Sequence, residues 1–291
     1  MKNVLYIVAR LNSSRIPKKN IMPLNGIPMI IRTYNQAKKI KGVDQIKLAT
    51  TTSSVDDELV KLAKENNIDV IRGHKEYVLD RIYDAALLDN ADNIIYVGGD
   101  GPLIDPKIYS HALEIFLNSK INFLTCYEPQ TYPGGYDFNI IDFKSLQIAY
   151  EGALVPSQRI NMFSYFTFNE SHIKKYNFEH SDDLSHFHFS LDNPEDMNFF
   201  EFIFKLIDKK NIEINLENIM CLIKENKELF DLTKKLFKPK ANNALFNSTH
   251  IMKGFFEDID FLLNKSLAEV DPVLRERYVL EAIKIAKIIS S

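Results

Sequence analysis

Over the first hundred residues, short β-branched apolar runs alternate with stretches of helical periodicity, the pattern of βαβ units and a mainly parallel sheet. Val4 to Val8 predicts a buried strand, Met29 to Lys39 a helix, and Gln45 to Ala49 a second strand. Asp56 to Asn66 reads as a helix with acidic residues in its first turn, where the helix dipole favours them. A strand over Ile68 to Ile71 and a helix over Val78 to Asn90 follow. Asn93 to Val97 then runs into Gly98-Gly99-Asp100-Gly101-Pro102, a strand that delivers a carboxylate into a loop. Phe187 to Leu191 is expected to return to the sheet. Beyond about residue 208 the chain turns Lys/Glu/Asn/Leu-rich with helical spacing, broken at Lys238-Pro239-Lys240. Its last segment sets Tyr278, Ala282, Ile285 and Ile289 on one helix face. The expected division is a domain over 1–208 and a helical C-terminal extension over 209–291.

Composition narrows the function classes. Apolar residues make up 45% and charged residues 26% of the 291, which permits a large core and excludes a disordered chain. A net charge of −3 gives no bulk attraction to nucleic acid or anionic membranes, so any nucleotide is bound locally. Cys126 and Cys221 lack CxxC spacing, which argues against a disulfide framework or a thiolate metal site. The apolar run before Arg10 is too short for a signal peptide or a membrane span, and a cytoplasmic protein is expected.

In open α/β sheets ligands sit beyond the carboxyl ends of the strands, so the loops at 9–20, 50–54, 72–81 and 98–105 should converge. The first of these reads Ala9-Arg10-Leu11-Asn12-Ser13-Ser14-Arg15-Ile16-Pro17-Lys18-Lys19-Asn20. Guanidinium groups bind phosphate oxygens bidentately, Lys neutralises them, and Ser13 with nearby backbone N–H groups can complete a cradle. A solvated basic loop has the same composition; its place after a buried first strand favours triphosphate. Neither a Walker loop nor GxGxxG is present. His186 and His188 with Asp192 have the look of a zinc site but lack a further ligand at suitable spacing, and the two histidines are expected to be a strand face near the acceptor.

The stretch ARLNSSRIPKKNI resembles the A-R-x-x-S-x-R-x-P-x-K opening of the SpsF-like cytidylyltransferases, which share a core with CMP-Kdo and CMP-sialic acid synthetases. Four further motifs follow in the same order: Ile71-Arg72-Gly73-His74 running to Val78-Leu79-Asp80-Arg81, Gly99-Asp100-Gly101-Pro102-Leu103-Ile104-Asp105-Pro106, Thr131-Tyr132-Pro133-Gly134-Gly135-Tyr136-Asp137, and Leu191-Asp192-Asn193-Pro194-Glu195-Asp196. The resemblance covers residues 4 to about 205 and leaves the helical tail outside.

The resemblance implies an α/β, Rossmann-like three-layer nucleotidyltransferase fold (GT-A-like), CTP as donor, magnesium as cofactor and a homodimer. It assigns Arg10, Arg15 and Lys19 to catalysis on the triphosphate. Nucleotide contacts are expected from Ala9, Arg10, Ser13, Ser14, Arg15, Lys19, Thr50, Thr51, Arg72, Arg81 and Gly99. Metal ligation is expected from Asp100 and Asp192, with Asp196 as a helper. His74, Tyr132, Tyr136, Asp137, Arg159 and His188 would lie towards the acceptor, an acidic sugar or a phosphorylated or phosphonate metabolite used in surface-polysaccharide or glycoconjugate synthesis. Two departures, Asn161 where the family has His and His188 where it commonly has Arg, point to an unusual acceptor. The alternatives are a nucleotide-sugar glycosyltransferase, whose usual D-x-D is missing, and a catalytically silent nucleotide-binding partner.

Overall fold

The computed structural model describes residues 1–168, 173–236 and 249–290; the expected helix break at Lys238–Lys240 lies outside them. Alternation along the first strand, β1 (Asn3–Val8), sets up three layers. Leu5 and Ile7 enter one buried cluster, while Val4 and Tyr6 enter another on the opposite face. After a two-stranded ribbon, β2 (Pro23–Leu24) and β3 (Ile27–Pro28), α1 (Met29–Ala37) covers the Leu5 face. Next come β4 (Gln45–Thr51), α2 (Asp57–Glu65), β5 (Asp69–Gly73), α3 (Val78–Asp89) and β6 (Asn93–Gly98).

Helix α4 (Pro106–Asn118) starts where Asp105 accepts the Lys107 N–H and Pro106 occupies the first turn, the position at which a missing N–H costs nothing. The sheet closes with β7 (Phe123–Thr125), β8 (Phe138–Asp142) and β9 (Lys175–Asn177), with α5 (Phe143–Gly152), α6 (Pro156–Ile160) and α7 (Ser164–Phe168) between the last two. Strand order is β5-β4-β1-β6-β8-β7-β9. β5, β4, β1 and β6 are parallel, and β8 runs antiparallel to both β6 and β7. The expected mainly parallel, Rossmann-like three-layer sheet is present.

Phe187 to Leu191 forms no strand. It passes beside the 131–137 turn, meeting it in one isolated bridge between Gly134 and His188 and in the Phe189 N–H to Gly134 carbonyl bond. Its apolar side chains are consumed by packing onto α8 (Asp196–Lys210), where Phe189 stacks on Phe199. The boundary expected at 208 falls inside α8. Beyond it, α9 (Leu216–Glu225) and α10 (Lys227–Lys235) add Leu216, Ile219, Leu222 and Leu229 to the same core as the sheet. The Leu216 N–H donates to Asp105, tying α9 to the start of α4.

Two further helices, α11 (Thr249–Ala268) and α12 (Pro272–Ser290), form a hairpin with its own small cluster of Phe255, Leu262, Ala282 and Ile285. It docks on Val155 at the head of α6 (Pro156–Ile160), with the Ser157 N–H donating to Asp258 and Gln158 to Glu281. Tyr278, Ala282 and Ile285 face inward as their spacing predicts. No helix among the described residues is long and apolar enough to cross a membrane.

Candidate active site

The carboxyl ends of β1 and β6 deliver a cleft of 560 Å³. Ala9, Arg10, Ser13, Ser14, Arg15 and Lys19 line it from one side, and Arg81, Tyr96 and Asp100 from the other. The loop after β1 is pinned by its apolar members, Leu11 and Ile16, which are buried while Arg10, Ser14 and Arg15 stay exposed. The Leu11 N–H donates to the buried Asp56 carboxylate at 2.7 Å, and Asn20 donates to the Arg10 carbonyl at 2.9 Å. The other Asp56 oxygen accepts from Thr51, so one carboxylate fastens the phosphate-type loop to the end of β4. Asp56 looked in the sequence like an ordinary helix start; only the fold shows what it grips.

Lys19 is the hub. Its Nζ donates to Asp100 Oδ2 at 2.8 Å and to the Leu191 carbonyl at 2.9 Å, and it stands 3.4 Å from Asp192 Oδ1. Arg15 reaches the same Asp192 oxygen at 2.9 Å. Residues 81 and 173 positions away in the chain thus converge on one ammonium group. The Asp192 turn is set by Asp196, whose carboxylate accepts the backbone N–H groups of Asp192 and Asn193, both at 2.7 Å. Asp196 therefore shapes the turn rather than facing the cleft. Glycine lets the Asp100 loop close: a Cβ on Gly101 would stand 2.2 Å from the Gly135 carbonyl oxygen.

Asp100 and Asp192 fit magnesium in kind. They are two hard oxygen donors on one cationic hub, the number this ion usually takes from a protein when substrate phosphates supply the remainder. Among the described residues no three His, Cys, Asp or Glu side chains make a metal cage of their own. His188, expected towards the acceptor, stands at this corner. Its Nε2 lies 3.0 Å from both Asp192 Oδ2 and the Ser190 hydroxyl, and it lines neither this cleft nor its neighbour.

Several other expected contacts are spent on structure. Thr50 and Thr51 lie inside β4 and are buried. Arg72 staples β5 to the preceding loop through Thr51 and Ser53 carbonyls and Asp57. His74 uses Nδ1 to accept the Glu76 and Tyr77 N–H groups and stacks on Tyr77. Gly99 packs against Ala9 where a side chain would collide. Tyr132 and Tyr136 are buried core residues, Tyr132 stacked on Phe178. Arg159 holds Asp80 at 2.9 Å together with the carbonyls of Tyr150 and Ala153. Conversely Asn12, Asn20, Glu76, Val78, Tyr96 and Ile160 line the cleft without having been singled out.

Arg81 and Asp137 carry displaced pKa values. Burial, then the neighbouring Arg10 charge, lowers that of Arg81, whose guanidinium donates to the His74 carbonyl at the cleft wall. Burial pushes Asp137 up to about 6, and the charge of Asp100 adds to the rise against hydrogen bonds from Tyr127 and the Gly135 backbone. A buried acid raised in this way costs nothing while protonated in both states; the cost appears as pH climbs from about 4 and is complete above about 6. Asp137→Asn should therefore raise stability at pH 7.5 by on the order of 2 kcal/mol and leave it nearly unchanged at pH 4. Denaturant melts at the two pH values check this, and an equal effect at both would contradict it.

The family described as Cytidylyltransferase matches residues 4–230 of this chain. An uncharacterized protein of Methanocaldococcus jannaschii is 26% identical over 74% of the chain and 88% of its own length. The 3-deoxy-manno-octulosonate cytidylyltransferase of Nitratiruptor sp. is 38% identical over 38% of this chain and 46% of its own, so the chain spans about half the length of that named relative. Among solved structures, a cytidylyltransferase from Leptospira borgpetersenii superposes with a TM-score of 0.66 at 27% identity, covering 74% of this chain and 98% of that one. With a family match over most of its length, the chain belongs to the cytidylyltransferase family of nucleotidyltransferases.

Proposed function

We propose that the protein transfers CMP from CTP to an acceptor oxygen in a magnesium-dependent reaction, in the cleft between the β1 loop and Asp100. The observation that carries this is the convergence of Asp100 and Asp192 on Lys19, with Arg15 on the same Asp192 oxygen, beside Arg10, Ser13 and Arg81. A triphosphate in the cleft meets the guanidinium groups of Arg10 and Arg15 and the Ser13 hydroxyl. Lys19 then exchanges part of its carboxylate contact for phosphate.

The acceptor oxygen forms a bond to the α-phosphorus. The bond from that phosphorus to the bridging oxygen breaks with its electron pair, pyrophosphate leaves, and a hydroxyl proton passes to solvent. Lys19 and Arg15 stabilise the charge that grows on the leaving group, the main service a protein performs in such transfers. Asp100 and Asp192 would hold magnesium, which when bound neutralises phosphate charge.

The acceptor class is an acidic sugar or a phosphorylated or phosphonate metabolite of glycoconjugate or surface-polysaccharide synthesis, and the working unit is a cytoplasmic homodimer. The relatives named for an octulosonate, an acidic sugar, support this class. The glycosyltransferase alternative fits less well, because the cationic loop offers more charge than a diphosphate-sugar uses. The test is pyrophosphate release with CTP, UTP, ATP and GTP against a panel of acidic sugars and phosphorylated metabolites. Release with CTP is expected; CTP binding without release for any acceptor would favour the silent-partner alternative.

A further inference from the structure

Helices α11 and α12, of 20 and 19 residues, lie beyond the residues 4–230 that the family matches. Of the seventeen large apolar side chains exposed among the described residues, nine fall within 256–283. They are patterned. Phe256, Leu263 and Leu267 stand at i, i+7 and i+11 on one face of α11, and Val273, Leu280 and Ile283 at i, i+7 and i+10 on one face of α12. Neither face is the inward one, which carries Leu262 on α11 and Ala282 on α12. Leu267 is 82% exposed and Val273 74%, so the turn that joins the helices is flanked by bare apolar side chains.

The seat of the hairpin on the body is small. It consists of Val155 and its neighbour Leu154 with the hydrogen bonds of Ser157 and Gln158, and it encloses Asp258, whose Oδ2 is buried without a partner, a cost rather than a gain. An exposed apolar set this dense marks an interaction surface. Charge indicates what covers it. α11 carries two Lys against three acids, and α12 four Lys and Arg against two Glu. α11 of one copy therefore complements α12 of a second, and a two-fold axis makes that contact twice. Residues 249–290 together hold six bases and seven acids, which gives no attraction to an anionic lipid surface.

We propose that the α11–α12 hairpin is the surface through which two copies of this chain associate, α11 of each packing on α12 of the other in a four-helix bundle. Phe256, Leu263 and Leu267 then meet Val273, Leu280 and Ile283 of the second copy. Each chain contributes roughly 800 Å² to such a contact, the size of a standard stable interface. None of the six residues lines the nucleotide cleft, so association leaves that cleft open. The inference rests on the homodimer of the proposed function, to which it gives a contact surface, and not on the transfer chemistry.

The test is sedimentation equilibrium on the full chain, wild type against the double variant Leu263→Glu with Leu280→Glu. Wild type should sediment as a dimer. The variant should dissociate about a hundredfold more readily, because two carboxylates would have to enter an apolar contact unpaired. Both side chains are exposed in the single chain, so its fold should persist. Should that variant fail to fold, Leu267→Ser with Val273→Ser serves, and it should weaken association about tenfold through the apolar area lost. A monomeric wild type overturns the proposal together with the homodimer, whether or not the monomer binds vesicles of neutral and anionic lipid. A dimer of wild-type strength in the folded variant overturns the hairpin contact and leaves a homodimer formed through another surface. CTP titration of the same samples should give equal affinity for wild type and variant; loss of CTP binding in both would sink the nucleotidyl-transfer reading while the sedimentation result still decides the hairpin.

Discussion

Asp100→Asn is expected to cut magnesium-dependent pyrophosphate release about a thousandfold, on the order of 4 kcal/mol of transition-state stabilisation. The substitution keeps shape and removes charge. Asp100 sits on a loop at the cleft, is 36% exposed, and contacts Lys19 rather than the core, so the fold should survive. Its carboxylate is also one source of the raised Asp137 pKa. Titration of Asp137 should therefore move down in the variant, reporting the lost charge independently of turnover. Steady-state kinetics at saturating magnesium check the main effect, and wild-type turnover would remove Asp100 from the mechanism.

Lys19→Ala is expected to weaken CTP about a hundredfold and to lower kcat as well, because the ammonium faces both the ground-state triphosphate and the charge that develops on pyrophosphate. The loss has a structural side. Lys19 is only 12% exposed and offsets two carboxylates, and removing one partner of such a group leaves charge uncompensated, at a cost of about 3 kcal/mol. A modest fall in melting temperature should accompany the kinetic defect. Lys19→Arg keeps the charge and should recover much of the stability but little of kcat, since a planar fork does not replace a compact ammonium. Unchanged CTP affinity in Lys19→Ala would place the triphosphate elsewhere.

What was legible in the sequence follows the physics of each signal. Period-two and period-3.6 apolar patterns located β1, β4, β5, β6, α1, α2 and α3 within one to two residues, because each of these buries a face whose alternation is written locally. The basic loop and Asp100 were legible for a related reason: charge stranded at the end of a buried strand has few structural uses. Orientation was not legible. Arg72, Arg159 and His74 lie in the expected loops, yet carbonyl and carboxylate partners from elsewhere in the fold claim their polar groups. Tyr132 and Tyr136 sit in a turn-rich motif that the structure folds inward. Phe187 to Leu191 carries strand-like alternation, but its partner is α8 rather than another strand. Asp56 shows the converse: its function is a hydrogen bond to Leu11, 45 residues away, which no local pattern encodes.

Calorimetric titration of CTP and UTP with magnesium reads out whether CTP binds in the cleft organised by Lys19. One CTP per chain, bound more tightly than UTP, with affinity reduced about a hundredfold in Lys19→Ala, is the predicted result. CTP that binds equally to wild type and Lys19→Ala, or does not bind at all, would contradict it.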